Sequence, residues 1–213
     1  MNQTFKLATL AMGLSLAAAQ AGAVTISFDD LAAGTILSNQ YAAQGAIFSA
    51  NAFSGAGSSS SSQPWATNTD MAIVSSTGAD VGGLGLPSLV SGNILHSFNG
   101  WLGENGDPSF RIAFSTPVTL VSATFAGVST PADVRLFAYD GTTLLATVTG
   151  TTAGQFVLSF IGSTITSVVI TPGSYDDWVG VDNIVFQPVP EVSTYAMMGL
   201  GLALLAFRRR LLA

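Results

Sequence analysis

The stretch that decides the fold is VRLFAYDGTTLLATV, residues 134–148, in which a turn dipeptide separates two apolar runs. The runs are residues 134–139 and 144–148, and the dipeptide between them is Asp140-Gly141. An Asp-Gly pair is typical of tight hairpin turns, because the central residues of such turns need positive φ. The stretch therefore predicts a β-hairpin.

Similar strand patterns recur along the rest of the central region. Residues 24–28 and 110–114 alternate apolar and polar side chains, which is the two-residue period of a half-buried strand. Further runs rich in β-branched and aromatic residues are 46–49, 71–75, 118–125, 156–160, 165–171 and 179–186. Glycine, proline, serine or asparagine punctuates nearly every gap, and the glycine-rich residues 78–92 predict a long loop.

The whole pattern favours one fold class. No stretch of the central region offers ten residues of helical period with caps. About nine or ten short strands joined by turns predict an all-β antiparallel β-sandwich. A jelly roll is the preferred topology.

Composition excludes several function classes. The 213 residues include six basic and twelve acidic residues, one histidine and no cysteine. Between residues 24 and 189 only Arg111 and Arg135 stand against eleven acids, which gives this central body a net charge of −9. Without lysine the body cannot neutralise phosphates well, so a nucleic-acid partner is not expected. Lysine nucleophiles, cysteine chemistry and a P-loop are excluded as well.

The first 23 residues predict a secretory signal peptide. Lys6 gives a weakly positive start, residues 7–19 are apolar, and Ala21-Gly22-Ala23 forms a small-residue cleavage site. Cleavage after Ala21 fits the same rule. The alternative is a retained membrane anchor, but the apolar run is short and a strand pattern begins at Val24. We therefore expect an exported protein that does not rely on disulfides.

The last 26 residues, 188–213, have three parts in order. A short polar motif consists of Val189, Pro190, Glu191, Val192, Ser193 and Thr194. It leads into the apolar run 195–207, which is followed by Arg208, Arg209 and Arg210. Thirteen helical residues extend about 20 Å, less than the roughly 30 Å hydrocarbon core, so the predicted transmembrane helix is a marginal span. The arginines should stay cytoplasmic, with the body outside. A buried amphipathic helix is the alternative.

These three parts resemble the PEP-CTERM sorting signal, which combines a Pro-Glu-Pro-like motif, an apolar helix and a terminal arginine cluster. Val192 stands where the family usually has proline. The resemblance implies that an exosortase-type enzyme in the membrane cleaves near the motif and passes the protein to the cell surface or the exopolysaccharide. The predicted organisation is a signal peptide at 1–23, a β-sandwich domain at 24–187 and a sorting signal at 188–213.

The body carries a second resemblance. The motif Phe28-Asp29-Asp30-Leu31 near its start and the stretch WVGVDNIVF, residues 178–186, at its end are the main matches. Gly34-Thr35, Gln40-Tyr41 and Gly45 lie between them. Together they resemble β-sandwich bodies common in PEP-CTERM proteins, which look like carbohydrate-binding modules with a galactose-binding-like fold. The resemblance implies a fold and does not by itself imply a sugar ligand.

Catalytic chemistry is not expected. His96 is the only histidine, no G-x-S-x-G elbow is present, and a zinc site would need three or four nitrogen or sulfur ligands. Glycoside hydrolysis needs two carboxylates at a fixed separation. The candidate pairs Glu104 with Asp107 and Asp176 with Asp177 lie in segments of turn composition. We therefore predict no catalytic residues.

Calcium is a better candidate ligand for the acids, because it accepts carboxylate and carbonyl oxygens from loops. Asp29 and Asp30 end the first predicted strand, and Asp182 lies in the last. In sandwiches of the resembled kind the terminal strands meet, so these three residues are the candidate ligands of a structural calcium ion. The alternative is turn hydrogen bonding.

Aromatic residues on loops are the candidate glycan contacts, since a flat ring offers an apolar face to a sugar. Trp65, Trp101 and Tyr175 lie in segments of loop composition. They would equally serve as core residues at the ends of the sheets. Because the body is strongly acidic, the predicted glycan is a neutral polysaccharide.

The sequence thus predicts an exported, non-catalytic β-sandwich protein at the cell surface or in a polysaccharide matrix, with glycan contact. Its predicted partners are an exosortase-type processing enzyme, the membrane before processing, and a neutral polysaccharide. The alternatives are a secreted carbohydrate-active enzyme and a purely structural matrix protein.

Overall fold

The computed structural model describes residues 22–50, 63–64, 72–77, 89–96, 106–107, 109–172 and 179–189, together with residue 199. Residues Ala21–Val189 form one compact unit. Its strands are β1 Val24–Ile26, β2 Ala46–Ala50, β3 Gln63–Pro64, β4 Ala72–Ser75, β5 Asn93–His96, β6 Gly106–Asp107, β7 Phe110–Val128, β8 Val134–Asp140, β9 Thr143–Thr149, β10 Gly154–Pro172 and β11 Gly180–Pro188. Two short 3-10 helices are Ala42–Gln44 and Pro131–Asp133.

In the described ranges, helical structure is limited to these two 3-10 helices and residue 199. None of the helices there has the length and apolar character that crossing a membrane requires. The predicted transmembrane helix at 195–207 lies outside the described residues, apart from residue 199, and so does most of the predicted signal peptide.

Two strands of 19 residues each, β7 and β10, organise the sandwich. They pair antiparallel from Gly154 opposite Val128 to Ile170 opposite Phe110. Their register shifts between Ile161 and Ser167, where both strands bend. The two halves of β7 have different outer neighbours, β2 and β11, and among the described residues only the second half of β10 pairs with β8. Each long strand therefore contributes to two packed sheets.

The first sheet contains the predicted hairpin. Its order is β2, the first half of β7, the second half of β10, β8 and β9. The predicted hairpin of β8 and β9 is present, but its two-residue turn is Gly141-Thr142, because Asp140 pairs with Thr143 as the last residue of β8. Gly141 has φ 56°, whereas Asp140 does not have positive φ. A bulge in β9 leaves Leu145 without an opposite residue, because Tyr139 pairs with Leu144 and Ala138 with Ala146.

The second sheet brings the two ends of the body together. Its order is β4, β5, β11, the second half of β7 and the first half of β10. Strand β1 also pairs with β11, with Ile26 opposite Ile184. Separately, β3 and β6 form a two-stranded parallel sheet.

The core fills the space between the two sheets. Buried side chains from the first sheet include Ile112 and Leu136, and those from the second include Phe125 and Phe186. An aromatic group at one end of the core contains Phe28, Tyr41, Phe48 and Phe110, with successive ring centroids 5.9 to 6.2 Å apart. Edge-to-face and offset contacts of this kind add to the stabilisation from burial.

The all-β antiparallel sandwich predicted from the sequence is confirmed. Non-consecutive strands lie side by side, as a jelly roll requires. Two details differ. The predicted strands 110–114 and 118–125 are halves of β7, and 156–160 and 165–171 are halves of β10. The polar residues that separated each pair in the sequence occupy the bends where a long strand passes from one sheet to the other.

Candidate functional site

The end of β1 and a bulge in β11 bring the predicted acidic residues into one region. The pairing of Ile26 with Ile184 places Asp29 and Asp182 near each other. The only non-glycine residues of the described chain with positive φ flank these acids. Phe28 at φ 61° precedes Asp29, and Asn183 at φ 47° follows Asp182. Such conformations are strained for side chains other than glycine and persist only where the surroundings fix them.

Asp182 is buried and accepts hydrogen bonds from two segments of backbone. Its carboxylate accepts the backbone N–H of Asn183 at 2.6 Å and that of Ser91 at 3.3 Å. The side-chain amide of Asn183 adds a third bond at 3.2 Å. The residue is 1 % exposed, so these bonds replace the water that the carboxylate loses.

Asp29 holds the same segment from the other side. Its Oδ1 accepts the backbone N–H of Asn93 at 2.8 Å, and the Asn93 side-chain amide donates to the carbonyl of Leu31 at 2.7 Å. Gly92, at φ 66°, lies against the Asp29 carboxylate so closely that a Cβ at this position would overlap it. The position of the Asp29 carboxylate therefore requires a glycine at residue 92.

Two amide side chains complete the attachment of this segment. Asn183 donates to the carbonyl of Leu89 at 3.3 Å, and the Leu89 N–H donates to the side-chain oxygen of Gln155 at 3.0 Å. We call residues 89–93 with Asp29, Asp182 and Asn183 the acidic clamp. It ties the end of the predicted 78–92 loop to the sandwich.

Asp30 has a different role from its neighbour. It accepts a hydrogen bond from the Tyr41 hydroxyl at 2.5 Å, and Tyr41 is part of the aromatic group in the core. Burial raises the pKa of Tyr41 well above its usual range. The hydrogen bond to Asp30 and the negative charges of Asp30, Asp29 and Asp182 raise it further. Tyr41 is therefore a neutral donor at all ordinary pH values.

The electrostatics of the clamp are governed by burial. Burial raises the pKa of Asp182 from 3.8 to about 6, although the N–H groups of Asn183 and Ser91 lower it in part. The charge of Asp29 raises this pKa as well. Asp182 thus has an ionised form that the fold stabilises less than its protonated form.

These positions test how well the acids fit calcium. Among the described residues, no three acidic or histidine side chains converge closely enough to hold a metal ion. Asp182, Asp29 and Asp30 accept protein hydrogen bonds instead. The geometry matches the alternative of turn-type hydrogen bonding, and the shared calcium ion stays a prediction for which these acids alone do not supply a ligand set.

Most other predicted site residues lie outside the described ranges. These are Trp65, Trp101, Tyr175, Pro190, Glu191, Val192, Ser193, Thr194, Arg208, Arg209 and Arg210. Val189 is described: it is half-buried, and its N–H donates to the carbonyl of Pro117 at 2.8 Å. His96 ends β5, where its backbone pairs with Gly180 and Ala72.

Sequence reasoning missed the segment that the acids hold. Leu89, Ser91 and Asn93 were predicted to lie in or just after a loop, with no partner assigned. The one local indication was Gly92, since glycine accommodates both positive φ and close approach.

The similarity to known proteins is distant and structural. No family model and no curated protein matches the chain. The K2 cleaved adhesin domain of Lys-gingipain is similar with a TM-score of 0.47 and 16 % sequence identity. The similarity covers 78 % of this chain and 99 % of that domain. The adhesin description belongs to that protein alone.

Proposed function

We propose that this chain is an exported, non-catalytic β-sandwich protein that a PEP-CTERM-type sorting signal delivers to the cell surface or the exopolysaccharide. The observation that carries the proposal is the order of three parts at the C-terminus. These are the motif 189–194, the apolar run 195–207 and the cluster Arg208–Arg210. The predicted signal peptide at 1–23 agrees with the same route.

Charge supports the orientation that this route needs. Three of the six basic residues of the chain follow the apolar run, and a fourth, Lys6, lies near the start. Basic residues beside an apolar segment favour the cytoplasmic side, so the acidic body would lie on the other side. An exosortase-type enzyme acting near Pro190 and Glu191 would then release the body from the membrane.

Hydrogen bonds within the protein account for three of the acids without a catalytic role. A general acid or nucleophile needs a carboxylate that reaches a substrate. Asp182 is buried under its own hydrogen bonds, whereas Asp29 and Asp30 are exposed and are bonded to Asn93 and Tyr41. These acids therefore have a structural task that explains their positions.

The ligand that fits an acidic body is a neutral polysaccharide. Nine net negative charges would repel a polyanionic glycan at moderate salt. We assign the contacts to aromatic rings, with Trp65, Trp101 and Tyr175 as candidates. A shallow site of this kind binds with modest affinity that depends little on ionic strength.

The sorting proposal is tested by replacing Arg208, Arg209 and Arg210 with glutamine. We expect export to continue and surface delivery to be lost, as measured by cell fractionation and by intact mass of the released protein. Replacement of Arg135 by glutamine is the matched control, because it removes an arginine from the body and leaves the terminal cluster intact. Unchanged surface delivery of the triple variant would overturn the proposal.

The glycan proposal is tested separately on the protein released from the producing cells. Neutral and acidic oligosaccharides are titrated into the wild-type protein and into Trp65→Ala and Trp101→Ala variants. We expect weak binding of a neutral glycan that at least one substitution abolishes. Tight binding of an acidic glycan without calcium contradicts the charge argument, and absence of all binding favours a structural matrix role.

A further inference from the structure

A long charge-free part of the body includes two strands, β9 and β10. Residues 141–175 contain no acidic or basic side chain, although the chain has Asp140 directly before them and Asp176 directly after. This run of 35 residues includes all of β9 and β10. The negative charge of the body therefore comes from other segments.

Both strands have an edge without a backbone partner in the ranges that the structure describes. Strand β9 pairs with β8 alone, and the first half of β10, residues 154–161, pairs with β7 alone. Because the two sheets share β7 and β10, both edges lie on the β10 side of the sandwich. We call this side, formed by β9 and residues 154–161, the charge-free side.

The two edges differ in how well they are protected. The bulge at Leu145 interrupts β9, and bulges are one of the devices that stop edge strands from pairing with other chains. Residues 155–161 carry no bulge against β7, and they contain neither a proline nor a charged residue. This is the kind of edge that usually finds a partner.

The side chains of this edge extend its apolar character to both faces. Phe156 and Phe160 pack partly against the core, with buried Leu158 between them. On the opposite face, Val157 is 52 % exposed and Ile161 is 73 % exposed. An exposed β-branched pair beside an open edge favours a further strand that would cover both.

We propose that residues 155–161 pair antiparallel with the same residues of a second copy, which gives a two-fold symmetric dimer. The occupant follows from charge. Two bodies that each carry nine net negative charges repel one another, and the charge-free side brings no charged side chain of its own into the contact. A two-fold axis is the commonest way in which identical chains associate, because the surface need only be complementary to itself.

The register that best covers the exposed side chains has its axis at Ser159. Val157 then lies opposite Ile161 of the second copy, and Ser159 lies opposite Ser159. On the inner face, Leu158 lies opposite Phe160, so the cores of the two sandwiches become continuous. Opposite residues of antiparallel strands have Cα atoms about 4.5–5.5 Å apart, a separation that a disulfide can bridge.

Cysteine cross-linking tests this register directly, since the chain has no cysteine of its own. We compare the full chain as Ser159→Cys and Thr147→Cys in mild detergent under mild oxidation. Both positions are exposed, and Thr147 lies in the bulged edge strand β9. We expect disulfide-linked dimer from Ser159→Cys and at least about tenfold less from Thr147→Cys. Equal yields, or more from Thr147→Cys, would overturn the proposal.

A second measurement removes the edge without using a cross-link. Sedimentation is measured for the full chain as wild type, as Val157→Lys with Ile161→Lys, and as Thr147→Lys. We expect the double variant to dissociate with a dissociation constant raised by about tenfold or more, and Thr147→Lys to remain dimeric. Added lysines reduce the repulsion between the acidic bodies, so charge alone would strengthen association. A monomeric wild type, or a double variant that stays dimeric, contradicts the proposal.

Discussion

The acidic clamp and the charge-free side satisfy backbone polar groups in opposite ways. In the clamp, the N–H groups of Ser91, Asn93 and Asn183 donate to carboxylates. Side chains therefore supply the acceptors that a neighbouring strand would otherwise provide. On the charge-free side, residues 155–161 have neither a charged side chain nor a described second strand to do this. The backbone N–H groups of the clamp thus find acceptors within the same chain, whereas the edge of residues 155–161 is suited to pairing with a partner strand.

The difference gives a physical reason for the positions of Asp29 and Asp182 beside residues 89–93. Buried N–H groups left without an acceptor cost about 1–3 kcal/mol each. An irregular segment such as residues 89–93 cannot use a ladder of backbone bonds and needs side-chain acceptors. A strand edge keeps its N–H groups in water until another strand covers them, so it carries no such cost in the monomer.

The largest effect is expected from Asp182→Ala. The substitution removes a side chain that is 1 % exposed and takes the acceptor from the N–H groups of Ser91 and Asn183, which should cost about 3 kcal/mol of unfolding free energy at pH 5. Denaturant unfolding measures the loss. Asp140→Ala is the control, because it removes the same side chain from an exposed turn and should change stability by less than about 0.5 kcal/mol. Equal losses in both variants would mean that the clamp contributes little.

A pH dependence should follow from the same residue. The pKa of Asp182 is raised to about 6 in the folded chain from 3.8, so its stabilisation is present at low pH and is lost as pH rises through 6. Between pH 4 and pH 7 the unfolding free energy should fall by up to about 3 kcal/mol, and Asp182→Asn should remove this part of the slope.

Calcium offers a contrast to that pH dependence. An ion bound at Asp182 would lower the pKa of this carboxyl and would flatten the slope between pH 4 and pH 7. The measurement is therefore made with a chelator and repeated with calcium. A slope and a melting temperature that calcium leaves unchanged would favour hydrogen bonding alone at Asp29, Asp30 and Asp182.

A smaller effect is expected from Gly92→Ala. Its added Cβ would overlap the Asp29 carboxylate, and φ 66° is unfavourable for alanine, so we expect a loss of about 2 kcal/mol. Gly141→Ala separates the two causes, because Gly141 has φ 56° and open space around its Cβ position. This control should lose about 1 kcal/mol from the conformation alone. Thermal unfolding gives both values, and identical losses would rule out a steric role for Asp29.

The smallest effect on folding is expected at the charge-free side. Ile161→Lys, measured in the monomeric state at high dilution, should change the unfolding free energy by less than about 0.5 kcal/mol, because Ile161 is 73 % exposed. Leu158→Ala is the comparison, since Leu158 is buried in the same strand and should lose about 2–4 kcal/mol. A large loss in Ile161→Lys would show that this side chain supports the monomer rather than an interface.

The sequence by itself determined the strands and the fold class. Alternation in residues 24–28 and the Asp140-Gly141 turn are local patterns, and a strand's two-residue period is visible without knowledge of its partner. The pairing of β1 with β11, which was expected from the resemblance of the body, is also confirmed. The charge-free run 141–175 was present in the sequence too, although only the topology gave it a position.

The tertiary structure alone decided what Asp29, Asp30 and Asp182 do and which strand edges lack a partner among the described residues. Asp29 lies 64 residues from Asn93, and Asp182 lies 91 residues from Ser91, so no local pattern could connect them. The fusion of predicted strands into β7 and β10 likewise depends on neighbours in two different sheets. The local pattern of a strand is the same whatever strand lies beside it, so the sequence of one strand does not identify its partner. The packing of the whole core decides which segments become hydrogen-bond partners.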